Sequence, residues 1–495
     1  MRRALLPPAL LAAAAAAGCA TPKSPIEGPW REIRRPHGAW IGPVVPAPTI
    51  PSLADATESA WEILEGARDR GSISLEECVR LALATREELL FLDEDGLQAL
   101  LQGDLALSGL LPDVEMRLRH DRQDPVTLRT GGSPTSTEPV RSEWVLNAFQ
   151  PIFQGLREVH AMRAADRTAE AVAEDRRDLR RALARSVARA FYLHAEAEAE
   201  MRALDETLRF DDERVREMEA RAEQGLARRT EVLLQVSRRE TTRADLVAAR
   251  QRRDASRVVL EALTGASVTL PLAVPPEPPA GVPDREALLA DAFRHRADLR
   301  AADRRMEAAA AEVSEARARR WPTVGAEGNW FLERWNHSEF AEKTRWDVLL
   351  SLDLPLFAGG ELDARERIAA SRLRQRALDR ARVRRRIVEE VDGALVVLAA
   401  GLERLEALRA NERFARENLA LLQEEYRQGL ATNLEVFTAQ QQVQEAAVAL
   451  ERQSYQSRLD EIEAAVAAGR DDRIGVPPAG GDPDRSAAPP TKERP

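Results

Sequence analysis

The sequence has few of the residues that carry catalysis, redox chemistry or metal binding. Its 495 residues include two cysteines, Cys19 and Cys78, and six histidines that lie far apart in the sequence. No spacing among them matches a metal site, and no Gly-rich phosphate loop with a lysine occurs. Aromatic residues make up only 4% of the chain. These absences speak against an enzyme, and we expect neither a metal nor a bound cofactor.

Long hydrophobic runs are also scarce. Beyond the N-terminal segment, no stretch reaches the roughly 18 to 20 apolar residues that a membrane-spanning helix requires. Lysine occurs only at positions 23, 343 and 492, and the many arginines are interleaved with acidic residues. The net charge is −10. Because the arginines form solvated ion-pair surfaces rather than a basic stripe, we expect no nucleic-acid partner.

The N-terminus is typical of a bacterial secretion signal. Two arginines precede an apolar stretch over residues 5–17, and small residues then lead to Cys19. This stretch is too short to span a membrane. The junction resembles the lipobox of bacterial lipoproteins, which implies a signal peptide over 1–18, acylation of Cys19 and, from Ala20, an outer-membrane address. An ordinary signal that leaves a free Cys19 is the alternative.

Two parts of the chain repeat at a fixed offset. Residues 150–153 correspond to 354–357, and residues 224–227 to 428–431, in both cases 204 positions later. Upstream of these segments, corresponding residues such as Leu89 and Leu299 are 210 positions apart. Chance can produce one such match, but it would not maintain one offset over more than a hundred residues. The chain therefore contains two copies of one unit.

Each copy is predicted to contain the same four elements. A helix of about 35 residues (74–111 or 285–320) leads to a β-hairpin, then to a helix of about 65 residues (156–221 or 361–426), and finally to another helix of about 35 residues (230–264 or 434–468). The expected boundaries are an anchor and Pro-rich extended leader at 19–72, repeat 1 at 73–265 with its hairpin at 112–153, a linker at 266–284, repeat 2 at 285–469 with its hairpin at 322–357, and a disordered tail at 470–495.

Periodicity supports these elements. Val388, Val391, Leu395 and Leu398 form a heptad seam in the second long helix. About 65 helical residues span roughly 100 Å, so one long helix matches two shorter helices stacked end to end. In the hairpins apolar and polar residues alternate, as Leu350 and Ser351 do. That alternation fits a membrane barrel with an aqueous lumen and, equally well, a half-buried soluble sheet.

The repeat order, the Pro-x-Phe entry to each long helix and the glycine turns before Glu231-Val232 and Glu435-Val436 resemble the TolC family of outer-membrane efflux proteins, over about residues 73–469. The resemblance implies a mainly α fold with a membrane β-barrel. Family members are homotrimers in which a 12-stranded barrel continues as a periplasmic helical coiled-coil tunnel. Two hairpins per chain are too few strands to close a barrel alone, which also favours an oligomer.

The same resemblance implies a function and partners. The chain is expected to be the passive exit duct of a tripartite efflux pump or a type I secretion system, lipid-anchored in the outer membrane of a Gram-negative bacterium. Its expected partners are a periplasmic adaptor, an inner-membrane transporter and outer-membrane lipid. The alternative is a periplasmic coiled-coil structural lipoprotein without channel activity. Nothing in the residues identifies the cargo.

The turns at the far end of the long helices are the predicted periplasmic entrance. By resemblance, Glu231, Glu435 and Tyr426 correspond to gate residues. The residues assigned to the turns and to adaptor contact are Gly225, Thr230, Gly429 and Asn433. The chain departs from the family pattern at Thr438 and Ala431, where the best-known member carries an acid and an arginine, and Arg228 or Arg229 is a candidate substitute. The alternative role for both glutamates is to stabilise helix N-termini.

Overall fold

The computed structural model describes residues 53–122, 127–130, 133–136, 140–225, 227–274, 281–335 and 342–470. The predicted signal peptide, Cys19, the leader up to residue 52 and the tail from residue 471 lie outside this part. The chain divides into two compact units, residues 1–59 and 60–495, and the arrangement below concerns the second. No described helix combines the length and hydrophobicity needed to cross a membrane.

The described elements repeat twice in the same order. The helices are α1 Leu53–Arg70, α2 Leu75–Thr85, α3 Glu87–Ser108, α4 Arg157–Glu223, α5 Arg229–Thr264, α6 Arg285–His295, α7 Ala297–Ala318, α8 Glu361–Arg427 and α9 Asn433–Ala467. The strands are β1 Ile73–Ser74, β2 Asp113–Arg122, β3 Thr127–Thr130, β4 Ser133–Ser136, β5 Val140–Gln154, β6 Leu272–Ala273, β7 Thr323–Trp335 and β8 Glu342–Asp353. The predicted twofold repeat of helices and hairpins is confirmed.

Two expectations about the helices are wrong. Each predicted first helix is two helices, because the backbone is extended at Arg86 (ψ 120°) and at the corresponding Arg296 (ψ 124°). An extended leader was expected as far as residue 72, but residues 53–70 form α1. A break without proline or glycine leaves no local signal in the sequence, so its cause must be sought in the packing.

The long helix α4 has a different helix along each half of one flank. Near its start Gly103 of α3 faces Ala165, and Arg176 pairs with Asp93 at 2.6 Å. Further along, the packing partner is α5, whose Thr242 donates a hydrogen bond of 2.7 Å to Asp211. The helices α3 and α5 therefore follow one another beside α4, whose 67 residues span about 100 Å.

The helix breaks lie where these successive helices meet. Arg86 donates a hydrogen bond of 2.9 Å to the Ala262 carbonyl, and Thr85 one of 3.2 Å to that of Thr264. Both carbonyls belong to the last turn of α5, where no intrahelical partner is available. Because the end of α5 occupies the space in line with α3, α2 cannot be collinear with α3, and the chain turns at Arg86. In repeat 2, Arg296 likewise reaches the Ala467 carbonyl at the end of α9 (3.4 Å).

These contacts define a helical layer made of α3, α4, α5, α7, α8 and α9. The helices α7 and α9 lie in succession between α4 and α8. Arg300 of α7 binds Glu174 of α4 at 3.1 Å, and Arg317 of α7 binds Glu366 of α8 at 2.9 Å. Across the layer the order is thus α3 with α5, then α4, then α7 with α9, then α8.

A buried cluster lies against the middle of the layer. It gathers α2, β1, β6 and residues of α4 such as Phe191, with Ile73 and Leu272 paired in a short parallel ladder. Cys78 is fully buried there, and burial raises the pKa of its thiol to about 12. The ladder is too short to have been visible in the sequence.

The hairpins join into one antiparallel sheet at the other end of α3 and α7. The strand order is β2-β5-β7-β8, so the two repeats meet at the β5–β7 pair. The register shifts between Pro151 and Phe153, and a proline is tolerated beside such a bulge. After β5, Leu156 adopts φ +65° where the second copy has Gly360 at φ +85°, so the first copy makes the same turn at a steric cost.

Candidate functional site

One face of the sheet is a continuous apolar surface. The register aligns Met116, Leu146, Trp330 and Trp346 in one row across the four strands. The apolar face comprises Val114, Met116, Leu118, Trp144, Leu146, Ala148, Val324, Ala326, Gly328, Trp330, Leu332, Trp346, Val348, Leu350 and Leu352. Val348 and Leu350 are 71% and 69% exposed. Monomeric soluble proteins rarely expose so large an apolar patch, so this face must meet lipid or another apolar partner.

The opposite face is mainly polar and is hydrogen-bonded across strands, although the register also places on it Val145, Phe149, Phe331 and Leu349. Asn147 donates hydrogen bonds of 2.7 Å to both Glu327 and Asn329. Further along, the guanidinium of Arg345 lies 4.4 Å from the ring centroid of Phe331, a distance at which a cation and an aromatic ring attract. The predicted alternation of the two faces is therefore confirmed, and the polar face suits contact with water.

Within the part of the chain that the structure describes, the layer and the sheet both end in edges without a partner, on the same two sides. On one side, the flank of α8 opposite its buried seam exposes Leu378, Val396, Phe414 and Leu421. On the other side, exposed apolar residues lie on α3 and α5, namely Phe91, Leu105, Leu233, Val247 and Val258. The outer strands of the sheet are β2 and β8. Two different edges of one chain suit a head-to-tail contact between copies.

The glycine turns lie at the ends of α4 and α8. Gly225 and Gly429 adopt φ +74° and +75°, where a side chain would be strained. Because α4 and α8 have the same length of 67 residues, both turns lie at the same distance from the sheet. Thr230 is the second residue of α5 and Asn433 the first of α9, so the residues that cap these helices are Arg228 and Thr432.

The two predicted gate glutamates have different surroundings. Glu435 belongs to a capping box, in which its carboxylate accepts hydrogen bonds from the Thr432 amide (2.6 Å) and hydroxyl (2.8 Å). These bonds lower the pKa of the Glu435 carboxyl. The box therefore stabilises the turn at neutral pH and is lost as the pH falls through that lowered pKa. Arg228 makes no such box with Glu231.

Tyr426 is hydrogen-bonded to a residue that the sequence did not single out. Arg221, on α4, donates to the Tyr426 hydroxyl at 3.1 Å and also binds Glu217 at 3.1 Å. This bond links the ends of the two long helices within one chain. Thr438 donates to the Leu434 carbonyl within its own helix at 2.9 Å. The expected substitute arginines, Arg228 and Arg229, lie at the start of α5.

A cavity of about 570 Å³ lies where α7 meets α9, beside α4 and α8. Its lining includes the buried Arg296 and Asp460, and burial raises the pKa of the Asp460 carboxyl. Among the described residues, no three His, Cys, Asp or Glu side chains are arranged to hold a metal ion. Our sequence analysis did not identify Arg296 as a candidate residue. The pair was detectable, because Arg86 and Arg296 are separated by the repeat offset of 210 and so occupy equivalent positions in the two copies.

Comparisons with known proteins agree with this geometry. The family model for outer membrane efflux proteins matches residues 80–266 and 288–470. Nodulation protein T of Rhizobium leguminosarum bv. viciae is 28% identical over 192 residues, which cover 38% of this chain and 38% of that protein. The matched region thus spans well under half of that relative's length.

Solved structures show the same fold. CusC is 19% identical, with a TM-score of 0.68, and the match covers 80% of this chain and 92% of that one. The outer membrane protein VceC from Vibrio cholerae is 20% identical, with a TM-score of 0.67 and coverages of 80% and 96%. The open-state MtrE outer membrane channel of Neisseria gonorrhoeae is 21% identical, with a TM-score of 0.64 and coverages of 80% and 89%. At these identities the likeness concerns the fold, and with the family match it confirms the resemblance found in the sequence.

Proposed function

This chain belongs to the outer membrane efflux protein family, and on that premise we propose that three copies form the exit duct of a tripartite efflux pump or type I secretion system. The observation that carries the proposal is the exposed apolar face of the sheet backed by a polar face. The duct would work with a periplasmic adaptor and an inner-membrane transporter, and it needs no catalytic group.

The two open edges support the assembly. The edge formed by β2, α3 and α5 differs from the edge formed by β8 and α8, so each copy can bind the next in a ring. Four strands per chain give twelve in a trimer, which removes every free strand edge. Strands of ten to fifteen residues are long enough to cross the roughly 30 Å of a bilayer's hydrocarbon core.

Ion conductance separates the duct from the alternative of a coiled-coil structural lipoprotein. The full chain, purified in mild detergent, should behave as a trimer of 54.9 kDa subunits and conduct ions in a planar bilayer. A structural lipoprotein would give no conductance, whatever its oligomeric state. A protein that is monomeric and silent under these conditions would contradict the proposal.

Lipid attachment at Cys19 is part of the proposal. We expect mature protein to begin at an acylated Cys19, as mass spectrometry of the N-terminal peptide will reveal. Since Cys78 is buried and its thiol pKa is raised to about 12, the folded protein should also resist alkylation at pH 8. Unfolding should then release one reactive thiol, Cys78. Two reactive thiols would show that Cys19 is free and would contradict the anchor.

The gate proposal can be tested separately from helix capping. A double change, Glu231→Gln with Glu435→Gln, removes the two charges at the entrance, while glutamine at the third helical position retains a capping side chain. We expect a reduced preference for cations in bilayer recordings. Thr432→Ala is the matched control, because it removes the capping box and keeps the charge. If only the control alters conduction, the carboxylates act as caps and the gate lies elsewhere.

A further inference from the structure

Two acidic residues on α4 connect that helix to both of its neighbours. Glu200 and Asp211 are eleven residues apart, or about three helical turns, and therefore lie on nearly the same face. At Glu200 each neighbour supplies its own arginine: Arg252 of α5 binds at 2.8 Å and Arg452 of α9 at 3.2 Å. These bonds tie both helices to α4 and make no direct bridge between α5 and α9.

At Asp211 the arrangement differs, because one arginine spans all three helices. Arg238 of α5 lies 3.2 Å from the Asp211 carboxylate and donates a hydrogen bond of 2.6 Å to Gln444 of α9. Its guanidinium is 4.5 Å from the ring centroid of Phe437, also on α9. We call Asp211, Arg238, Phe437 and Gln444 the Arg238 clasp.

The clasp is shielded from water. The Asp211 and Arg238 side chains are 3% and 14% exposed, and Thr242 satisfies the second carboxylate oxygen. Hydrogen bonds of a charged group are strengthened where water is excluded. The contact between α4 and α5 is thus held by buried charged and hydrogen-bonding groups. The contact with α9, in contrast, depends only on the side-chain amide of Gln444 and the ring of Phe437.

The clasp lies close to the proposed entrance. Arg238 is the tenth residue of α5, which places it about 14 Å from the start of that helix. Phe437 is the fifth residue of α9. Between the clasp and the turns lies the hydrogen bond from Arg221 to Tyr426. Arg238 therefore joins α5 directly to α9 near the entrance.

We propose that Arg238 is a positioning residue of the gate: it holds the α8–α9 pair against the α4–α5 pair at rest, and opening requires release of Phe437 and Gln444. This inference rests on the proposed function as a duct. Asp211 and Thr242 keep Arg238 in place during the movement, because they belong to the α4–α5 pair. The resting state can then be restored by the same contacts.

Bilayer recordings of the full-length trimer test the proposal. Arg238→Met should raise the ratio of open to closed time by about tenfold or more, since a charge-assisted hydrogen bond is lost from the closed state. Arg252→Met is the matched control, with the same substitution on the same helix at an arginine that binds Glu200 on α4. It should conduct like the wild type. Equal conduction by the two variants would overturn the proposal.

A second variant covers the case in which Arg238→Met does not assemble. Gln444→Glu offers Arg238 a carboxylate and should lengthen closed periods, and this effect should vanish when Arg238 is also replaced. Unchanged closed periods, or an effect that persists without Arg238, would contradict the clasp. A wild-type trimer that inserts and never conducts would instead contradict the duct itself, so the two failures can be told apart.

Discussion

Leu350→Arg should abolish assembly in the outer membrane, whereas Leu349→Arg should be tolerated. The two residues are neighbours on β8 and carry the same side chain, but they point to opposite faces of the sheet. Leu350 lies on the exposed apolar face. An arginine on a lipid face costs about 2–4 kcal/mol near the bilayer midplane, and a trimer would carry three.

The control position has the opposite surroundings. Leu349 is paired in register with Glu327 on the polar face, so an arginine there gains a carboxylate neighbour and water. Membrane fractionation followed by electrophoresis of the unheated trimer gives the readout. Equal assembly of the two variants would mean that the apolar face of the sheet does not meet lipid.

Arg296→Met should strongly destabilise the chain, and Arg86→Met should have a small effect. Arg296 is 8% exposed, and its guanidinium binds Asp298 at 2.8 Å and Glu390 at 2.5 Å. Burial lowers the pKa of Arg296, but hydrogen bonds to both carboxylates outweigh that effect and raise it. Removal of one partner of a buried charge pair costs about 3–5 kcal/mol, although the partial exposure of Glu390 reduces the loss.

Arg86 occupies the equivalent break in repeat 1 and provides the comparison. Arg86 donates a hydrogen bond to the Ala262 carbonyl and lies 3.8 Å from the exposed carboxylate of Glu88, and its side chain is 23% exposed, so we expect a loss of about 0.5–1.5 kcal/mol. In thermal denaturation of the trimer in detergent, the melting temperature should be highest for the wild type, lower for Arg86→Met and lowest for Arg296→Met. Asp298→Asn in the Arg296→Met background should recover part of the loss, because it removes the stranded carboxylate. Equal melting of both single variants would contradict the assigned role of Arg296.

Much of the fold could be predicted because its signals are local or repeated. The long helices lack proline and keep a seam of apolar residues such as Val391 and Leu395, which the structure buries. The hairpins alternate apolar and polar residues at period two. The matching positions of the two copies fixed the order of elements without reference to any contact.

Most of the missed features depend on contacts between distant segments. The breaks at Arg86 and Arg296 arise from the ends of α5 and α9, and the Arg238 clasp joins three helices. Arg221, the partner of Tyr426, looks like any other arginine of an ion-paired helix surface. The difference between Glu231 and Glu435 is instead local and was readable in the sequence, because the residue three positions earlier is Arg228 in one copy and Thr432, the first residue of a capping-box pattern, in the other.

The junctions at Arg86 and Arg296 have an evolutionary consequence. An insertion of one residue within α4 or α8 would rotate everything beyond it by about 100° and misalign a whole seam. At a junction, one helix ends and another begins without a shared ladder of backbone hydrogen bonds. A residue added there therefore does not rotate the apolar face of either helix relative to the rest of that helix. Changes in length can therefore accumulate at the middle of the layer, and lineages that differ in the size of this region can still retain the same sheet and the same entrance.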